Sequence, residues 1–363
     1  MLNIIITFDY ELFFNESFVT EEDALIKPTY SLARGLEKYG INGTYFVDVP
    51  SILRYRQLGI LSYPMNAENQ ILQLYSNHHD IQLHIHPHWY TTKYINGKWN
   101  HDYSHYRIHS FRFDERNESN CITAKRIICE STEYLNTLIK KIDSSYRCIA
   151  FRAGGFCLQP EQELLKELYL NGIRIESSIC KGISSNSGIH YYNYFNLPKA
   201  INWWISPSNG ISVQEKLDLR QKLFVVPIGS LDNVFLKLKL LLLYPKLTQY
   251  PLKGKHSPSS INKESFIRKQ VQKISSLINQ SLIFTADGLH YMKMVEIIDY
   301  YLHKHDCVNN NYYLTMICHP KFSGGSVVKN IGQFIDIMLS QYKNRVRFTT
   351  IKNVYTEINK NVC

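Results

Sequence analysis

Leu2-Asn3-Ile4-Ile5-Ile6-Thr7-Phe8-Asp9-Tyr10-Glu11 is an apolar, largely β-branched run that ends on two carboxylates. A run of this kind reads as a strand buried on both faces. An amphipathic stretch at helical spacing follows over residues 24–39, closed by Gly40, and a second strand-like run follows at 44–49. Glycine just past the last periodic residue is an ordinary helix C-terminal signal. The alternation then continues. Strand-like runs recur at 80–84, 148–152, 173–177, 222–227, 313–319 and 345–350, with helical stretches at 121–141, 160–171 (closed by Gly172) and 263–282. Strands alternating with helices predict an α/β fold with a parallel sheet or barrel. The 363 residues exceed two average domains of roughly 150, yet a barrel with insertions absorbs that length. No internal repeat or low-complexity linker divides the chain, so one domain over 1–363 is expected. Two polar, aromatic-rich segments at about 91–120 and 182–209 break the alternation and are expected to be long loops over one end of the barrel.

Composition narrows the function classes. The chain is 44% hydrophobic, 13% aromatic and only 20% charged, which supports a sizeable core and excludes general disorder. Forty-one Lys and Arg against 31 Asp and Glu give +10, a balance that favours an anionic partner. Nucleic acid is not expected, because no recognised binding motif accompanies the charge. Eight scattered cysteines contain no C-x-x-C pair and read as reduced structural thiols. The start carries no basic leader or signal core, so a cytoplasmic protein is expected. Residues 234–247 mix leucines with Lys237, Lys239 and Lys246. They read either as a buried helix closing the barrel or as a peripheral contact with an anionic leaflet; they are too short to span one.

Several strand ends carry chemistry. Asp9 and Glu11, two apart, project from the same side of an extended chain. At the C-terminal end of a barrel strand such residues tend to be catalytic, although a capping Asp beside a solvated Glu explains the pair as well. The third run ends His84-Ile85-His86-Pro87-His88, and three histidines this close suggest a metal. Two imidazoles and one carboxylate would complete a three-ligand catalytic zinc set with an open position for water. Pro87 makes the chain turn here, so His84 and His88 are expected to converge, leaving His86 as the odd one out. Arg152-Ala153-Gly154-Gly155 puts an arginine at another strand end, either to hold a site carboxylate ionised or as a surface ion pair. Cys318-His319-Pro320 delivers one more histidine at a strand terminus.

Taken in order, these segments resemble the polysaccharide deacetylase family. These NodB-homology carbohydrate esterases fold as a distorted (β/α) barrel with long loop insertions and remove acyl groups from amino sugars. The resemblance covers about residues 2–320. To the family's T-F-D-D, H-x-x-x-H, R-x-P-x and L-x-H motifs the chain offers Thr7-Phe8-Asp9-Tyr10-Glu11, His84 with His88, Arg152-Ala153-Gly154 and Ile317-Cys318-His319. Glu176-Ser177-Ser178 resembles the family's D-S-S segment, and Trp203 or Trp204 the tryptophan that walls the acyl pocket.

The resemblance implies Asp9 as general base, Arg152 as the residue tuning it and His319 as general acid, with Glu176 nearby to favour its cation. It implies His84 and His88 as metal ligands and the backbone near Gly155 as oxyanion donor. It also implies one divalent ion, zinc first and Co²⁺, Ni²⁺ or Mn²⁺ as alternatives. Two positions depart from the pattern. Tyr10 stands where the family's second aspartate binds metal, which shifts that ligand to Glu11 or leaves it to Asp9. Gly154 replaces the usual proline. The implied substrate is an N-acylated amino sugar or glycan precursor of cell-surface polysaccharide, nucleotide- or lipid-linked if the protein works at the inner face of the membrane. Two other readings keep the same residues: a metal-free, allantoinase-like hydrolase of another C–N bond, and an inactive carbohydrate-binding scaffold.

Overall fold

Residues Leu2–Tyr10 form strand β1, and all nine are buried. The computed structural model describes residues 1–14, 19–114, 121–216, 222–244 and 278–360. Within them, β1 is followed by β2 (Thr44–Asp48), β3 (Asp80–Ile85), β4 (Ala150–Ala153), β5 (Ile175–Glu176), β6 (Leu223–Val225) and β7 (Tyr312–Cys318). These pair in parallel in the order β7-β1-β2-β3-β4-β5-β6. Each lies where an apolar run predicted a strand. The last expected strand is present as Val346–Phe348, beside the first half of β1, while β2 takes the second half.

The sheet curls into a distorted barrel whose last seam is thin. Ile228, just past β6, bridges Cys180 on one side and Thr315 of β7 on the other. Its N–H donates to Ile179 at 2.8 Å, and the Gly229 N–H donates to the Thr315 carbonyl at 2.9 Å. Lower down, the strand Trp203–Ser206 runs antiparallel to β6, and the Asn202 amide spans the gap to the Val225 carbonyl at 3.1 Å and the Tyr313 carbonyl at 2.8 Å. Side-chain amide bonds thus stand in for strand pairing at the lower part of the seam.

Period two sorts the strand residues. On β1, Ile4, Ile6, Phe8 and Tyr10 face the helix layer, whereas Ile5 faces the interior, and Thr7 and Asp9 continue its series upward. The helix Lys27–Glu37 buries Leu32, Ala33 and Leu36 against that outer layer and is followed by Gly40 at φ 65°. The helix Ala124–Ile139 is capped by the Thr123 hydroxyl, which accepts from the Arg126 N–H. The helix Gln162–Leu170 is followed by Gly172 at φ 89°. At the N-terminal ends of the strands, Ile351, Val354 and Ile358 of the helix Ile351–Lys360 plug the interior against Ile5, Phe46 and Phe224.

Three expectations change. The segments at 91–120 and 182–209 are not plain loops: they hold the hairpins Lys93–Ile95/Lys98–Asn100 and Ser184–Ser187/His190–Asn193. Asn96 and Gly97, at φ 51° and 76°, make the two-residue turn that matches hairpin twist. The helix Val234–Leu243 is not buried: only Lys237 and Leu240 are, while Phe235 is 86% and Leu242 88% exposed. Residues 245–247 and most of the expected helix at 263–282 lie outside the described residues. No described helix is long and apolar enough to cross a membrane.

Candidate active site

The C-terminal ends of β1, β3, β4 and β7 meet over the barrel. Glu11, one residue beyond β1, is their hub. Its Oε2 lies 3.1 Å from His84 Nε2 and 2.5 Å from His86 Nε2. Its Oε1 lies 2.8 Å from Lys321 Nζ and 3.4 Å from His319 Nε2. Glu11, His84 and His86 are each no more than 2% exposed. Asp9, on the inward face of β1, receives Arg152 Nη1 on Oδ1 at 2.6 Å and turns Oδ2 toward His319 Nε2 at 3.6 Å.

His86, not His88, stands beside His84. On a strand, residues two apart share a face, so His84 and His86 point together into the interior. Pro87 then starts the 3₁₀ turn Pro87–Tyr90, which carries His88 away into an aromatic nest of Phe14, Trp89, His101 and Tyr106 with ring centroids 5.0–5.6 Å apart. Both His88 ring nitrogens are buried there without a hydrogen-bond partner among the described residues. The ring of His86 needs Gly154 beside it: a Cβ there would come within 2.5 Å of His86 Nδ1 and 2.7 Å of the Ile85 carbonyl.

Arg152 is fully engaged. Its Nε donates to the Ser177 carbonyl at 2.9 Å, Nη1 also to the Thr7 hydroxyl at 2.8 Å, and Nη2 to the hydroxyls of Ser177 at 3.2 Å and Thr315 at 3.3 Å. Such a fork fixes the carboxylate it holds. The Arg152 carbonyl accepts from His84 Nδ1 at 2.8 Å, so the Nε2 of a neutral His84 presents a lone pair toward Glu11 and His86.

Burial and mutual charge decide the protonation states. Burial alone would raise Glu11, but Lys321 and His86, with hydrogen bonds from both histidines, hold it well below the usual carboxylate range. Burial likewise opposes ionisation of Asp9, and Arg152, His84 and His319 outweigh it. Burial would lower His84, yet Asp9 and Glu11 push it up to about 9; in His86 burial wins and pushes it down to about 4. His319 is raised against the effect of burial, chiefly by Asp287, whose Oδ2 lies 2.6 Å from His319 Nδ1. The expected partner of His319, Glu176, is elsewhere. It accepts the Ser178 N–H on Oε1 at 2.5 Å, has no partner for Oε2 among the described residues, and is pushed up to about 7 by burial.

The other expected residues separate in the same way. Gly155, at φ +57°, lines the cavity above the site, where a Cβ would meet Tyr106 at 2.8 Å and His190 at 2.9 Å. Trp203 and Trp204 do not line it. The Trp203 indole donates to the Ile211 carbonyl at 3.0 Å, and Trp204 packs on Phe224, centroids 5.0 Å apart, in the lower interior. The cavity measures about 160 Å³ and opens on Asp9, Glu11, His84, His86 and His319. Its walls are Tyr106 and Phe156 together with Ser185, His190 and Tyr192 of the second hairpin.

Glu11, His84 and His86 form the one group among the described residues whose ligand atoms all lie within 4.8 Å of one another. Two imidazoles and a carboxylate are the donor set of catalytic zinc sites that keep a position open. The residues therefore fit a divalent ion, with Lys321 on Oε1 of Glu11 and the two imidazoles facing its Oε2. Sequence reading missed Asp287 and Lys321. Lys321 follows His319 by two residues within the turn Pro320–Phe322, a local signal; Asp287 has none.

No family model matches the chain, and no curated protein matches it. Among solved structures it is similar to a protein of Mycobacterium smegmatis assigned as a polysaccharide deacetylase (11% identity, TM-score 0.47, covering 99% of this chain and 91% of that one). It is also similar to Puue allantoinase (10%, 0.43, 97% and 88%) and to the catalytic domain of a peptidoglycan N-acetylglucosamine deacetylase from Eubacterium rectale (12%, 0.38, 96% and 88%).

Proposed function

We propose that the protein is a hydrolase that removes an acyl group, in the first place N-acetyl, from an amino sugar or glycan precursor, using one divalent ion held by Glu11, His84 and His86. The observation that carries this reading is the convergence of a His-His-Glu set, an arginine-held Asp9 and an Asp287-held His319 on one small cavity. A bound ion, zinc in the first place, would supply Lewis-acid polarisation of the acyl carbonyl and acidify a water. Asp9 takes the water proton on Oδ2, since Oδ1 is engaged by Arg152. Asp287 fixes the His319 ring through Nδ1, so Nε2 faces the cavity and gives its proton to the leaving nitrogen. The backbone at Gly155 is the proposed oxyanion donor. Tyr106 and Tyr192 offer the faces on which a sugar ring stacks. A role in cell-surface polysaccharide assembly at the cytoplasmic side, on a nucleotide- or lipid-linked substrate, belongs to the same proposal.

The test is acetate release from a panel of N-acetylated mono- and oligosaccharides by wild type and Asp9→Asn. Release abolished in the variant supports the reading; no release by metal-loaded wild type rejects it. Lys321 favours a second reading. Its ammonium already balances Glu11, as a metal-free hydrolase of another C–N bond would require. That enzyme would keep full activity in chelator.

A further inference from the structure

A second cavity of about 680 Å³ lies beside the barrel seam, separate from the candidate active site. Its lining carries four lysines (Lys181, Lys199, Lys237 and Lys304) against a single carboxylate, Asp232. Two of the four are held in an unusual way. Lys181 donates to the carbonyls of Pro198, at 2.5 Å, and Ala200, and lies over the Trp203 ring at 4.5 Å from its centroid. Lys237, only 3% exposed, donates to the carbonyls of Gln280 at 2.8 Å and Ile278 at 3.3 Å. Neither has a carboxylate at ion-pair distance among the described residues. Carbonyls satisfy two of the three donors on each ammonium but neutralise none of its charge. Asp232 is already shared by Lys304 at 3.7 Å and the Tyr300 hydroxyl. Sheltered charge without a counter-ion is costly, and Lys181 records it: burial and Lys304 push it down to about 8.

The cavity has the size of a small-molecule site, and its lining includes an apolar wall of Leu197, Pro198 and Ile201 beside Lys181 and Lys199. It borders the hairpin that roofs the candidate active site: Lys181 and Gly182 lead into Ser184–Ser187, and Gln280 bonds the Ser184 N–H at 2.7 Å. Lys237 enters it from the helix Val234–Leu243, whose outer side exposes Phe235 and Leu242.

We infer that this cavity binds a phosphoryl group, a phosphate or diphosphate ester whose organic remainder rests on the apolar wall. Lysine suits such a ligand as a point charge. The ester comes either from a nucleotide or from a lipid head group presented beside the exposed leucine helix.

The probes are inorganic pyrophosphate, uridine diphosphate, and phosphatidylcholine vesicles containing one-fifth phosphatidic acid, measured by calorimetry and co-sedimentation. They are applied to wild type, the rim variant Lys199→Gln/Lys304→Gln, and His86→Ala, the last so that an anion on an active-site ion is not mistaken for this site. Pyrophosphate should bind wild type and His86→Ala alike, and the rim variant about tenfold more weakly at low salt. Uridine diphosphate tighter than pyrophosphate assigns a nucleotide; vesicle binding lost in the rim variant, with uridine diphosphate no better than pyrophosphate, assigns a lipid. Absence of binding by all three probes, binding indifferent to the rim substitutions, or pyrophosphate binding lost in His86→Ala overturns the site. Loss of the deacetylase reading alone would leave these outcomes unchanged.

Discussion

At the lower end of the barrel, Ile5, Phe46, Phe224 and Tyr313 pack against Ile351, Val354 and Ile358. Two turns of the strand pleat higher, on the same sheet, the interior holds Asp9, His84, His86 and Arg152. Arg152 is the joint between these regions. Its guanidinium lies over the Phe46 ring, 4.1 Å from the centroid, and reaches up to Asp9 at 2.6 Å. The apolar end carries the burial that stabilises the barrel. It also removes the water that would otherwise screen the charges above it, so each site group needs a specific partner. Stability and chemistry should therefore come apart under mutation, except at the joint.

The largest effect is expected there. Arg152→Met strands the Asp9 carboxylate in a site where it is 4% exposed, and should cost roughly 3–5 kcal/mol in urea unfolding together with the activity. A loss under 1 kcal/mol would mean that the upper end is wetter than its geometry implies. Phe224→Ala at the lower end should cost about 3 kcal/mol, yet leave turnover per folded molecule and metal content unchanged. A fall in turnover at saturating substrate would break the division between the two ends.

Glu176→Gln sharpens the comparison through pH. The Glu176 carboxyl is pushed from 4.5 to about 7 in the folded state, so the native protein holds its proton more tightly than the unfolded chain does. Its share of stability is whole below about pH 4.5 and is lost as pH rises to about 7. The variant should match wild type near pH 4 and exceed it by on the order of 3 kcal/mol at pH 8, read from chemical unfolding at both values. A gap independent of pH would refute the assignment. The smallest effect is that of Asp287→Asn. Asp287 holds His319 above its ordinary value, so its loss should move the alkaline limb of the rate profile to lower pH with the fold intact. An unmoved limb would remove His319 as the acid.

The barrel was legible because parallel strands buried on both faces leave continuous apolar runs, and because Gly40 and Gly172 mark helix ends. Asp9, Glu11, His84, Arg152 and His319 were legible as strand-end residues in order. The choice between His86 and His88 was not. It depends on whether the turn at Pro87 begins before or after the second histidine, and composition is silent on that. Asp287 was hidden because its partner His319 is 32 residues away, and Lys321 because its partner Glu11, at the end of the neighbouring strand β1, is at the far end of the sequence. The tryptophans misled because their ring chemistry fits a sugar wall and a packed seam equally well.

Metal content by elemental analysis of wild type, His86→Ala and His88→Ala, prepared without chelating tags, decides whether Glu11, His84 and His86 hold an ion. About one equivalent of a divalent ion is expected in wild type and in His88→Ala, and none in His86→Ala. Metal lost in His88→Ala but kept in His86→Ala, or no metal in wild type after reconstitution, would contradict that expectation.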